Sequence, residues 1–212
     1  MPSVTRKAKS GPSRREAAGT NVLEAVERLL ADGAGYTELG VQQIAEAAGI
    51  SRSTFYVHFT DKNDLLVRLT RASTAELFAA ADAWLARPYE EGIGPLEEAL
   101  AEVCAQRRKH SAALNALAEV ASYDPAIGEF WRAQINAFAD RFARRLAADK
   151  RAGHTAPGLD ARNTAMFLTW GVERAFEQQM IGGQPSGDAK LVRATARSLW
   201  LTIYGQAGEL GE

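Results

Sequence analysis

Residues 39–66 read LGVQQIAEAAGISRSTFYVHFTDKNDLL. Val41, Ile44, Ala45 and Ala48 recur at the spacing of one helix face, which predicts a short helix over 41–48 that Gly49 ends. Ser51 is a good N-cap for a second, very short helix from Arg52 to His58. Asp61 caps a longer one, and Asp64 falls in its first turn, where a carboxylate suits the positive end of the helix dipole. Two helices joined by the tight Ala48-Gly49-Ile50 turn have helix-turn-helix geometry. In it Ile44, Ala45, Ile50 and Phe55 are expected to lock the pair together. The outer face of the second helix is then free to enter a DNA major groove.

The chemistry of that outer face suits nucleic acid. Arg52, Ser53, Thr54, Tyr56 and His58 can donate to base edges or phosphates, and arginine to guanine is the commonest specific contact. The fourteen residues between Glu46 and Asp61 carry no carboxylate that would repel phosphate. Lys62 opens the next helix, where its charge and the helix N–H groups can meet a phosphate together. The plainer alternative is a solvated helix pair in which Tyr56 and Phe59 only pack.

On either side of this segment the periodicity stays helical. Val22, Ala25, Val26, Leu29 and Leu30 form one apolar stripe on a first helix over about 13–32, ended by Gly33 and Gly35. The helix after Asp61 is expected to run through Leu65, Leu66, Leu69, Leu77 and Phe78 to Trp84, ahead of Pro88. Beyond the 92–95 loop come helices over about 96–109 and 111–122. A long helix opened by Asp124-Pro125 follows, then helices near 159–181 and 188–204. All seven prolines sit at such junctions, and alternating β-branched runs are missing. The expected fold is all-α with about nine helices: a basic disordered arm over 1–12, a helix-turn-helix domain over 13–66, and a second domain over 67–212.

Composition narrows the function classes. With 212 residues, 46% of them apolar and 24% charged, the chain can build a real core and is not disordered as a whole. One cysteine allows no internal disulfide and no cysteine-based metal cluster. The longest uncharged stretch, 198–208, is far short of the roughly 20 residues a membrane helix needs, and no apolar leader follows the basic N-terminus. The cytoplasm is the expected location, with no membrane partner. The net charge of −1 looks unfavourable for DNA, yet residues 1–20 hold Arg6, Lys7, Lys9, Arg14 and Arg15 against Glu16 alone. A local basic arm matters more than the whole-chain sum.

GISRSTFYVHFTDKNDLL also resembles the turn, recognition helix and fourth-helix start of the TetR family of bacterial transcriptional regulators. Gly49, Ile50, Ser51, Thr54, Phe55, Tyr56, Phe59, Lys62 and Leu65 match that family's pattern, and so does the order of an N-terminal helix, this motif and an all-α remainder. The end of the chain (172–174, 183–186 and 200–205) and the long helix with Trp131 are similar to the branch typified by the mycobacterial repressor of ethionamide activation. Two departures stand out. Gly40 occupies the position before the second helix where the family usually has a Thr or Ser, so Thr37 or Gln42 is expected to take that phosphate. Val57 stands where an aromatic is frequent, which favours a thymine-methyl contact.

The resemblance implies a repressor that binds a palindromic operator in double-stranded DNA as a homodimer and is released by a small apolar or amphipathic effector. By the same likeness the effector site would be lined by Trp131, Ile135, Phe138, Phe142, Thr169, Val172 and Trp200, with Leu96, Leu100 and Val103 opposite. Met166, Trp170, Leu199, Ile203 and Tyr204 on the last two helices would form the dimer interface. Glu173 and Arg174 are the nearest charged residues, expected to pair within their helix or across a dimer. No cofactor or metal is implied: His58, His110 and His154 are scattered, and Cys104 is expected to be a small buried apolar residue. The competing classes are a helical protein-interaction adaptor without DNA binding and a small-molecule enzyme. Against the second, no strand is predicted to carry a nucleophile elbow or phosphate loop.

Overall fold

The structure, a computed structural model, describes residues 14–205, with side chains from residue 17 onward. Arg6, Lys7 and Lys9 of the expected basic arm lie outside the described residues, as do the side chains of Arg14 and Arg15. Among the described residues there are nine α-helices, two short 3-10 turns and no strand. The described residues form two compact units divided between Leu69 and Thr70, so the division falls inside the fourth helix.

The first unit contains α1 (Arg14–Ala31), α2 (Val41–Ala47), α3 (Arg52–His58) and the start of α4 (Lys62–Leu85). Val22, Ala25 and Val26 of α1 are fully buried with Ile44 and Phe55, while Ile50 is only half-buried. Phe55 packs edge-on to Tyr56 and beside Phe59. A seven-residue helix is too short to hold itself, so burial of Phe55 and Phe59 has to fix α3 in place. Burial of a Phe side chain supplies roughly 1.5–3 kcal/mol. Between α2 and α3 the chain turns at Gly49, whose φ of +69° lies in the left-handed region. There the Gly49 N–H bonds the Glu46 carbonyl and the Ile50 N–H bonds that of Ala45.

The second unit contains residues 70–85 of α4, α5 (Gly94–Lys109), α6 (Ser111–Ala121), α7 (Pro125–Arg151), α8 (Ala161–Gly182) and α9 (Asp188–Tyr204). Asp124 caps α7 by accepting from the Ala126 and Ile127 N–H groups at 2.9 and 3.2 Å. α7 lies along α8 and against α6, and α5 lies against α9. Gly128 permits the α6 approach: a methyl group there would stand 2.8 Å from the Ala121 carbonyl oxygen. Two starts differ from the sequence expectation. α5 begins at Gly94 because Pro95 is tolerated in a first turn, where no intrahelical N–H is needed. α8 begins only after Asp160, which accepts from the Asn163 N–H and leaves Leu159 as a buried loop residue. The 3-10 turn Tyr89–Glu91 was not foreshadowed by periodicity.

A polar network crosses this core. Asp149 on α7, 7% exposed, accepts from Arg145 Nε at 2.9 and 2.8 Å and from the Tyr204 hydroxyl at 2.8 Å. Arg145 Nη1 donates in turn to the Leu85 carbonyl at the end of α4. Nearer the surface, Asp188 accepts from Arg108 at 2.6 and 3.0 Å and from Gln179 at 2.8 Å. The Arg108 hydrogen bonds hold its carboxyl below the ordinary carboxylate value.

Gly49→Ala should destabilise the chain by about 1–2 kcal/mol, because the cost is backbone handedness and nothing crowds the site. An unchanged thermal midpoint would contradict the turn geometry. Since the folded pKa of Asp188 is depressed, its stabilisation is present above its ordinary value of 3.8 and fades as pH falls below it. Asp188→Asn should therefore lower stability by about 1–2 kcal/mol at pH 7 and by less at pH 3. Parallel melting curves offset equally at both pH values would refute this.

Candidate nucleic-acid interface and ligand cavity

The outer side of α3 carries Arg52, Ser53, Tyr56 and Val57, all exposed, with Tyr56 at 47% and Val57 at 57%. Ser51 sets the start of this helix. Its Oγ accepts from the Thr54 N–H at 3.1 Å and lies 2.8 Å from both Ser53 Oγ and Thr54 Oγ1. The Arg52 guanidinium stands 5.8 Å from the centre of the Tyr56 ring, one turn along, in a cation–π arrangement. Arginine, hydroxyls, a phenol and a branched apolar group thus share one convex surface. They can offer hydrogen bonds to base edges and an apolar contact to a thymine methyl.

The remaining sequence-predicted residues are placed less simply. Thr37 is exposed on the turn between α1 and α2, and Gln42 is exposed with its Nε2 donating to Glu46 at 2.6 Å. Lys62 Nζ donates to the carbonyls of Tyr36 and Thr37 at 2.9 and 3.3 Å and lies 5.0 Å from the Tyr36 ring centre. Its ammonium therefore fastens the α1–α2 turn to the start of α4. His58 is half-buried, and its ring is turned toward Gly19 of α1. Gly40 caps α2 without a side chain of its own, its N–H bonding Gln43 Oε1 at 2.8 Å.

Within the second unit an apolar cavity of about 80 Å³ lies between α4, α5, α7, α8 and α9. Leu96, Leu100 and Val103 form one side, and Trp131, Ile135, Phe138, Phe142, Thr169 and Val172 another. Trp200 is not among the lining residues. It is 1% exposed and packs parallel to Tyr89 and against Tyr204, because the 3-10 turn after Pro88 brings Tyr89 into that layer. The lining expected from the family resemblance leaves out α4, which contributes Leu77, Phe78, Ala81 and Trp84 to the wall. Their spacing on one helix face was a usable signal. Sequence reasoning also left out Arg107, a cavity residue only 3% exposed. It reads in sequence as one of three basic residues closing a helix, a pattern that ordinarily faces water.

Glu173 and three of the five residues expected at the dimer interface are placed differently from the expectation. Glu173 lines the cavity and pairs with Arg107 at 3.2 Å, so its partner is on another helix. Burial pushes the Glu173 carboxyl above its ordinary value, against the pull of Arg107. Arg174 pairs within α8, with Glu177, as expected. Leu199, Ile203 and Tyr204 are 7%, 0% and 3% exposed and belong to the unit's own core, with Leu199 also lining the cavity. They have no free surface for a partner. On α8, by contrast, Met166 is 41%, Phe167 75% and Ile181 62% exposed, and the half-buried Trp170 donates to Asn136 at 3.3 Å. Cys104 is buried, and burial raises its thiol pKa, so it is no poised nucleophile. Among the described residues no group of three His, Cys, Asp or Glu could hold a metal, and no helix is long and apolar enough to cross a membrane.

Comparison with known proteins agrees with this layout. Residues 22–69 match the family model for bacterial regulatory proteins of the tetR family, and residues 96–205 match that for the C-terminal domain of the transcriptional regulator EthR. The HTH-type transcriptional regulator EthR of Mycolicibacterium smegmatis is 28% identical over 96% of this chain and 93% of its own length. EthR of Mycobacterium tuberculosis is likewise 28% identical, over 97% and 94%. Among solved structures, the complex with triclosan of SmeT, the repressor of a Stenotrophomonas maltophilia multidrug efflux pump, shares the fold with a TM-score of 0.73. It is 15% identical and covers 92% of this chain and 98% of that one. The chain belongs to the TetR family of bacterial transcriptional regulators, with a DNA-binding domain at its N-terminus and a C-terminal domain of the EthR type.

Proposed function

We propose that this regulator is a cytoplasmic repressor that binds a palindromic operator as a homodimer and lets go when a small apolar molecule enters the cavity. The observation that carries the DNA half is the outer face of α3. Tyr56 and Val57 lie beside Arg52 and Ser53, large and exposed, with no carboxylate among them. Such residues lose apolar burial by standing in water, and a major groove recovers it. Arg52 and Tyr56 read bases, Val57 meets a thymine methyl, and Ser53, Thr54, Thr37 and Gln42 position the phosphates. Lys62 acts mainly through its charge, since its ammonium is already engaged with backbone carbonyls.

The dimer half rests on α8. Its exposed Met166 and Phe167, with Trp170 one turn on and Ile181 near its end, are apolar side chains that a second copy would cover. Two-fold pairing sets two recognition helices about 34–36 Å apart, one DNA turn. For release, α4 follows α3 in sequence and supplies four cavity-wall residues, so occupancy can bias the DNA-binding unit through that helix. The bias can be no larger than the ligand's difference in affinity for the two states.

Arg52→Ala and Tyr56→Ala should each weaken operator binding by at least about tenfold in a mobility-shift assay while helicity is unchanged. Unaltered shifts would remove α3 from the interface. Light scattering should give about twice the 22.9 kDa chain mass, and Phe167→Glu should return it to the single-chain value. A Phe167→Glu protein that keeps the doubled mass would exclude this face of α8.

A further inference from the structure

The apolar cavity is interrupted by one ion pair. Arg107 is 3% exposed, and its Nε has no hydrogen-bond partner among the described residues. Its Nη2 donates to Glu173 Oε1 at 3.2 Å, and both residues line the cavity. Thr169, the other polar group in this part of the wall, gives its only hydroxyl proton to the Ala165 carbonyl at 2.7 Å. It can therefore only accept from a ligand. A guanidinium N–H left unbonded beside an apolar wall costs free energy that a ligand acceptor can recover.

From this arrangement, and resting on the ligand-release reading above, we infer that the effector is an uncharged, slender apolar molecule carrying a hydrogen-bond acceptor such as a carbonyl, held by the Arg107 guanidinium beside Glu173. Charge balance sets the limit. The pair is already neutral, so a carboxylate ligand would compete with Glu173 for one guanidinium and leave a net negative charge in an apolar site. An ammonium ligand would have to displace Arg107 from Glu173 and leave the guanidinium unpaired. A carbonyl adds no charge and completes the hydrogen bonding of Arg107. The elevated carboxyl of Glu173 fits the same picture, since burial already opposes further negative charge.

The test uses the full chain and follows its tryptophan emission, two of the indoles being in the cavity wall, on titration with 2-nonanone, octanoate and octylammonium. In the unaltered protein 2-nonanone should bind at least tenfold more tightly than either ion. Glu173→Gln keeps the side-chain shape but frees the guanidinium from its anion, so octanoate should tighten at least tenfold and octylammonium should not. Replacing both partners, Arg107→Met with Glu173→Leu, leaves no unpaired buried charge and should weaken 2-nonanone severalfold with the melting temperature held or raised. The inference is overturned if octanoate or octylammonium matches 2-nonanone, if Glu173→Gln leaves octanoate unchanged, or if the double variant binds the ketone as before. Binding by none of the probes overturns it together with the effector half of the proposed function. Operator binding, read separately by mobility shift, would still stand.

Discussion

A carboxylate in the middle of a helical core has to be satisfied on several sides at once, and Asp149 is such a group. Arg145 one turn back on α7 neutralises it, the Tyr204 hydroxyl at the end of α9 donates to it, and Arg145 reaches on to the last carbonyl of α4. Three helix ends are thereby tied to one point, which ordinary apolar packing would leave free to slide. Removing Asp149 would leave the buried Tyr204 hydroxyl without its acceptor and Arg145 without its counter-charge, which is far costlier than replacing all three by apolar groups. The aromatic layer of Tyr89, Trp200 and Tyr204 sits beside this knot, and so the far end of α9 is fixed core while the open apolar surface lies on α8.

The two units solve opposite problems. In the DNA-binding unit, a seven-residue helix must be rigid enough to present side chains, so it is nailed by Phe55 and Phe59 from beneath and by Ser51 at its start. In the second unit, long helices easily fill space, yet the wall between α5, α7 and α8 stays imperfectly filled around a buried ion pair. Ligand sites commonly combine an apolar wall with a few fixed polar groups in this way.

How much of this was legible in the sequence depends on the kind of question. The bounds of α3 follow from Ser51 and Gly49, because caps and left-handed turns are local chemistry. Nine of the ten cavity positions expected from the family resemblance do line the cavity, since a shared fold carries register with it. What periodicity could not give was the partner of each apolar face. Leu199, Ile203 and Tyr204 form a stripe that reads the same whether it meets a second copy or the chain's own core. Arg107 was hidden for the opposite reason: it follows the rule for a solvated helix end, and only the long-range pairing with Glu173, 66 positions away, draws it inward.

The seclusion of Cys104 has a practical consequence. Because the chain's one thiol is enclosed on α5 and its deprotonation is suppressed by burial, a cysteine introduced on an exposed position would be the site at which a maleimide dye reacts. The natural sequence is thus already suited to single-site spectroscopic labelling, without first deleting a core residue. A label at the edge of α3 would make the separation of recognition helices in any paired assembly a distance that can be measured directly.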